Sequence, residues 1–197
     1  MLQITADGKY IYAISGEDQA IACLERKPGG AIEYKSTADL SKIGMADKPD
    51  KPNKYAWTSL LLSPDGKWLY ANLMKYAKPA DQNIAIFKRN QESGELTLQE
   101  AITGEKNVLA NRRGWQCVQF LPNGTGFLGH YDLGLWTFQY DPATGRLENP
   151  AAIKETQGYK ANVAYDLDNG FLYMGGVWIV EGGIQDGFRV LKMEGKK

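Results

Sequence analysis

Two glycine turns recur along this chain in a fixed order, and that recurrence limits the possible folds more than any other feature. The first turn reads Thr5-Ala6-Asp7-Gly8-Lys9-Tyr10, Ser63-Pro64-Asp65-Gly66-Lys67-Trp68, Leu121-Pro122-Asn123-Gly124-Thr125 and Leu167-Asp168-Asn169-Gly170-Phe171. An alternating run precedes it and an apolar-aromatic run follows. Asp-Gly and Asn-Gly are the strongest short-range hairpin signals, because glycine accepts a positive φ. The second turn follows at Lys27-Pro28-Gly29-Gly30, Glu92-Ser93-Gly94 and Pro142-Ala143-Thr144-Gly145, with a weaker echo at Glu194-Gly195.

Each unit therefore reads as four antiparallel strands, A to D. In the second unit the pattern predicts strands at 57–62, 68–73, 83–88 and 95–101. In the third it predicts them at 115–120, 125–129, 134–140 and 146–151. Strand C of the second unit puts Ile84 and Ile86 on one face and Ala85 and Phe87 on the other. No segment has a helical period with caps, although residues 39–43 are long enough for a single turn.

A four-stranded unit of roughly 45–50 residues cannot bury both faces alone, and it is the blade of a β-propeller, where blades stack around a channel. The expected fold is all-β: one propeller domain, or part of one, with blades near residues 1–40, 55–103, 113–153 and 161–197. Strand A of the first unit is cut to residues 2–6, and the fourth unit has no strand D. Three arrangements fit: part of a longer propeller, two chains sharing one ring, or a small ring of four blades. An unpaired strand edge invites another chain, so self-association through an open blade edge is expected.

Composition supports a folded β domain, with 43% apolar residues, 22 Gly, 11 Tyr and 5 Trp. Lys and Arg number 23 and so do Asp and Glu, so no clustered positive charge calls for nucleic acid or acidic lipid. No apolar run reaches the roughly 20 residues that span a bilayer. The first residues lack a basic segment followed by an apolar one, so no signal peptide is read here and the cytoplasm is the default compartment. The two cysteines, Cys23 and Cys117, are far apart in apolar patterns and read as small buried residues rather than metal ligands. No metal or cofactor is expected.

At these turns the sequence resembles the seven-bladed lactonase family, which includes bacterial 6-phosphogluconolactonase. The resemblance is carried by Leu62-Ser63-Pro64-Asp65-Gly66-Lys67-Trp68-Leu69-Tyr70-Ala71-Asn72, by Asn83-Ile84-Ala85-Ile86-Phe87 and by Glu92-Ser93-Gly94-Glu95-Leu96. Asp141-Pro142-Ala143-Thr144-Gly145-Arg146-Leu147 resembles the family's Asp-Thr-Gly-x-Leu turn more closely. The resemblance implies the propeller fold and, as an activity, lactone hydrolysis. Its motifs build blades and mark no catalytic residue, and the chain has about four repeats where the family has seven.

Propeller sites lie where loops join D to the next A, here 39–55, 104–115 and 156–160, and B to C, here 16–19, 75–82, 130–134 and 175–183. Long loops on a rigid scaffold often carry function. One constellation stands out: Asn111-Arg112-Arg113-Gly114-Trp115 enters strand A of the third unit and His130-Tyr131-Asp132 leaves its strand B. Opening a lactone needs a base for water and a cation or donor for the oxyanion. His130 or Asp132 are the candidate bases. Arg112, Arg113, Lys75, Tyr76 and Trp115 are the candidate ligand contacts. Structural roles compete with each: His130 as a strand-end residue, Asp132 as a turn cap, Lys75 and Tyr76 in a solvated loop. Adjacent Arg112 and Arg113 point to opposite faces of an extended chain, so at most one serves a channel. The reading is a propeller scaffold that binds a small ligand or protein at its channel face; the alternative is a hydrolase that opens a sugar lactone there.

Overall fold

The computed structural model describes residues 1–15, 18–41, 43, 56–74, 82–110, 115–121, 123–130, 134–156, 159–166, 169–180 and 183–192. Among them the chain is almost entirely β. The first sheet holds β1 (Leu2–Ile4), β2 (Tyr10–Ser15), β3 (Ala20–Arg26) and β4 (Ile32–Asp39). The second holds β5 (Ala56–Leu62), β6 (Trp68–Met74), β7 (Gln82–Arg89) and β8 (Leu96–Thr103). The third holds β9 (Trp115–Phe120), β10 (Thr125–His130), β11 (Gly134–Tyr140) and β12 (Leu147–Ala152). The fourth holds β13 (Tyr159–Asp166), β14 (Phe171–Val180) and β15 (Gly183–Lys192). Each is an antiparallel meander in chain order, four-stranded in the first three and three-stranded in the last. These are propeller blades, as the repeat predicts. The helical content described is two 3₁₀ turns, Val108–Ala110 and Lys154–Thr156. Within the segment at 39–43, the Ile43 amide donates to the Leu40 carbonyl at 3.0 Å.

The glycine turns explain the meanders. Gly8, Gly66, Gly124 and Gly170 in the first turn, and Gly30, Gly94 and Gly145 in the second, all have positive φ. In the first two sheets the first turn carries an added lock. Thr5 and Ser63 donate their hydroxyls to Asp7 and Asp65. The Thr5 and Ser63 hydroxyl oxygens in turn accept from the Tyr10 and Trp68 amides, each at 3.0 Å. The Lys9 and Lys67 amides then donate to the same carboxylates at 3.0 and 3.1 Å. In the third sheet Asn123 keeps only the last bond, from the Thr125 amide.

The chain forms two compact units, residues 1–114 with 140–147, and residues 115–139 with 148–197. In the first unit, the first sheet packs on the second through Tyr10, Tyr12, Ile14, Ile21 and Cys23 against Leu60, Leu69, Ala71, Ala85 and Phe87. Strand β7 is buried on both faces, so Ile84, Ala85, Ile86 and Phe87 are all in the core. In the second unit, Leu172 and Met174 of the fourth sheet pack on Leu121, Phe127 and Leu135 of the third.

Two expectations need correction. Residues 175–180, expected in a loop at 175–183, belong to a strand: β14 runs on to Val180 and β15 starts at Gly183. Gly176 and Gly187 pair across the long hairpin, and glycines opposite one another leave the ladder intact. Strand A of the first unit stops at Ile4, because Thr5 already belongs to the turn.

Candidate functional site

Of the predicted constellation, the structure describes only the backbone of His130 and Trp115. His130 is the last residue of β10; it pairs with Gly134 of β11 and, after a bulge at Gly129/His130, with Trp115 of β9. Bulges re-aim strand ends and are over-represented beside functional sites. Arg112 and Arg113 precede Trp115 in the chain, and Asp132 follows His130 by two residues. The side chains of His130 and Trp115 lie outside the described residues, as do Arg112, Arg113, Asp132, Lys75 and Tyr76 altogether. The described residues instead build mostly the opposite end of the sheets, where A joins B and C joins D.

At that end the polar chemistry is strongly structural. Arg89, at the end of β7, is 6% exposed. Its Nε donates to the Tyr12 hydroxyl at 2.8 Å and its Nη1 to the Gly66 carbonyl at 2.9 Å. The guanidinium also lies over the Tyr10 ring, 5.3 Å from its centroid. The Tyr12 hydroxyl in turn donates to the Gly94 carbonyl at 2.7 Å, and Cys23 Sγ donates to the same oxygen at 3.4 Å. Burial drives the Tyr12 hydroxyl far above the usual tyrosine range, against the pull of Arg89. Burial likewise raises the Cys23 thiol; a neutral, enclosed thiol is a poor nucleophile, and Cys23 is free of any disulfide.

A cleft of about 550 Å³ opens beside this network, lined by Lys67, Lys88, Arg89, Glu92 and Pro142 among others. Two of its cations are already engaged by the protein. Arg89 spends its donors on protein oxygens, and Lys67 pairs with Asp65 at 3.6 Å. Lys9, Lys27 and Lys35 surround Glu25, with Lys27 closest at 2.7 Å, and their partial exposure makes this a solvated cluster of small energetic weight. No group of three or more His, Cys, Asp or Glu able to hold a metal exists among the described residues.

Sequence reading missed Arg89 because Lys88-Arg89-Asn90 looks like a solvated strand end. The available signal was the aromatic opening strand B in successive repeats, Tyr10 and Trp68. Tyr10 donates through its hydroxyl to the Glu92 carbonyl of the next second turn, and Trp68 Nε1 to the Pro142 carbonyl of the one after, at 3.0 Å.

Comparison with known proteins agrees with this architecture. No family model matches the sequence, and no curated protein matches it. Among solved structures, the chain is similar to a Bacteroides fragilis protein assigned as a 6-phosphogluconolactonase, with 25% identity and a TM-score of 0.56 over 79% of this chain and 37% of that one. It is similar to the periplasmic gluconolactonase of Pseudomonas aeruginosa at 20% identity and a TM-score of 0.58, over 77% of this chain and 38% of that one. It is also similar to hydrazine synthase from Kuenenia stuttgartiensis at 14% identity and a TM-score of 0.58, over 97% of this chain and 50% of that one. The chain thus spans well under two thirds of these propellers, and its fold is a lactonase-like β-propeller array.

Proposed function

We propose that the chain is a propeller scaffold that binds a small, oxygen-rich ligand at the sheet ends where B joins C and D joins the next A. The observation that supports this reading is the His130–Trp115 register; in the sequence Arg112 and Arg113 come just before one partner and Asp132 just after the other. An arginine fork matches a carboxylate or phosphate on such a ligand. Isothermal titration with gluconate, 6-phosphogluconate and the corresponding lactones tests it. Heat of binding that disappears in Arg112→Ala and Arg113→Ala together supports the reading; no binding by the intact chain overturns it.

A second reading, hydrolysis of a sugar lactone, is favoured by the two lactone-hydrolase likenesses, the nearer at 25% identity. Here His130 or Asp132 takes a proton from water as it attacks the lactone carbonyl, and an arginine faces the oxyanion. The ring oxygen then leaves, taking the proton back from the base, as the hydroxyl of the open acid. Turnover of δ-lactones that falls at least tenfold in His130→Ala, with ligand binding retained, supports catalysis. Binding without turnover leaves the scaffold reading alone.

A further inference from the structure

In the third sheet, the turn that leaves β12 is fastened to the start of β11 through Thr156. This residue ends the 3₁₀ turn Lys154–Thr156 and is only 1% exposed. Its Oγ1 accepts from the buried Leu135 amide at 2.8 Å and donates to the Ile153 carbonyl at 2.7 Å. The Thr156 amide donates to the same carbonyl at 3.0 Å, and the Ile153 amide donates to the Leu135 carbonyl at 2.9 Å. Both backbone polar groups of Leu135 are thereby satisfied by residues just beyond β12, which ends at Ala152.

The fastening reaches the candidate site in one step. Gly134, next to Leu135, has φ 79°, and a Cβ there would collide with the Thr156 carbonyl. Glycine meets both conditions. Gly134 is also the cross-strand partner of His130, the last residue of β10. Thr156 belongs to the connection from D to the next A, while Gly134 closes the one from B to C. These are the two kinds of connection that flank the candidate residues.

The first sheet closes its equivalent corner without a hydroxyl. There the Leu40 amide donates to the Gln19 carbonyl at 2.8 Å, and the Ile43 amide to the Leu40 carbonyl at 3.0 Å. Leu40 thus stands where Ile153 does, and Ile43 where Thr156 does. Ile43 is buried and packs in the apolar cluster. A blade corner therefore closes with an apolar residue at this place, and the hydroxyl at 156 meets a local demand, the Leu135 amide. A buried amide left without an acceptor is costly. The strand end that would shift to relieve it carries Gly134 and, across the ladder, His130.

We propose that Thr156 is a positioning residue. Its hydroxyl fixes the start of β11 and, through the Gly134–His130 pair, the end of β10 where the ligand is bound. The geometry stands by itself, but its purpose rests on the ligand-binding reading above. Sites hold their geometry only when supporting residues lock the elements that carry them.

His130 is the only histidine of the chain, so its ring gives a single proton NMR signal to follow. Thr156→Val removes the hydroxyl at similar volume, and Thr156→Ser keeps it. In the valine variant, folded by circular dichroism, the His130 signal is expected to shift or broaden; in the serine variant it returns. Affinity for 6-phosphogluconate, by isothermal titration, is expected to fall about tenfold with valine and to recover with serine. Should the valine variant not fold, Thr156→Cys replaces it under the same expectations, since a thiol is a weak acceptor. A purely packing role lowers stability in urea and leaves the His130 signal in place; that outcome overturns the proposal, and so does a serine variant that behaves like valine. The two readings fail separately. If the intact chain binds no sugar acid but the signal moves with valine and returns with serine, the ligand reading falls and the positioning of His130 stands. If all three proteins bind alike and the signal never moves, the positioning falls and the ligand reading stands.

Discussion

The junction between the first and second sheets and the junction between the third and fourth are built on the same plan and held differently. Both bury a row of apolar side chains. The first adds a polar layer: Tyr12, Arg89 and the Gly94 carbonyl form a chain of donors and acceptors beneath the Tyr10 ring. Among the described residues the second is apolar, with Leu172 and Met174 against Phe127 and Leu135. At the third sheet's strand-B start stands Thr125, and the next residue, Gly126, is filled from within its own sheet by the Phe138 ring. A glycine pocket thus serves a neighbouring sheet in one region and its own sheet in the other. The difference teaches that the aromatic at the head of strand B pairs with the second-turn glycine of the following sheet.

The largest expected effect tests that pairing. Gly94→Ala drives a Cβ to within 2.5 Å of the Tyr10 ring at φ 78°, and we expect it to cost about 3 kcal/mol from overpacking and left-handed strain together. Gly29→Ala has the same backbone requirement but open space around it, and is expected to cost only about 1 kcal/mol. Urea denaturation of the two variants measures the difference, and equal losses would remove the inter-sheet role of Gly94.

Next comes Arg89→Met. It keeps the aliphatic stem but leaves the Gly66 carbonyl and the Tyr12 hydroxyl without their guanidinium donors. We expect a loss of about 2 kcal/mol, read in the same denaturation experiment. A neutral result would make the apolar cluster alone responsible for the junction.

The smallest effect concerns pH. The Thr5 hydroxyl and the Lys9 amide hold the Asp7 carboxyl below its ordinary value of 3.8. A depressed carboxylate stabilises the fold above its unfolded value, and that contribution disappears as pH falls through the folded one. Asp7→Asn should therefore flatten the loss of stability below about pH 4, measured by thermal melting across pH. The third sheet already carries the amide version, with Asn123 receiving the Thr125 amide at 3.0 Å. An unchanged acid profile in Asp7→Asn would show that this turn does not contribute.

Much of the fold was legible because its punctuation is local. A positive-φ glycine needs only its own four or five residues to define a hairpin, so β9 and β11 fall at the predicted bounds and β5 to β8 within two residues of them. The long β14–β15 hairpin was not legible, since its glycines pair with each other only once the strands have met. Arg89 was hidden for a related reason: its burial depends on Tyr10 and Tyr12, some 77 residues away in sequence for the Tyr12 contact. The candidate site was legible only as a position on the sheets. Trp115 and His130 sit on strands whose register the repeat dictates, while Arg112, Arg113, Asp132, Lys75 and Tyr76 belong to connections that carry no repeat constraint.

Gly94 has one more consequence, for how this sequence can change. In a free hairpin, asparagine tolerates the left-handed backbone better than most residues other than glycine. Beneath the Tyr10 ring that exchange is barred, since any substituent collides before its backbone preference matters. Drift at position 94 must therefore wait for a smaller partner at position 10, which ties two distant codons into one evolutionary step.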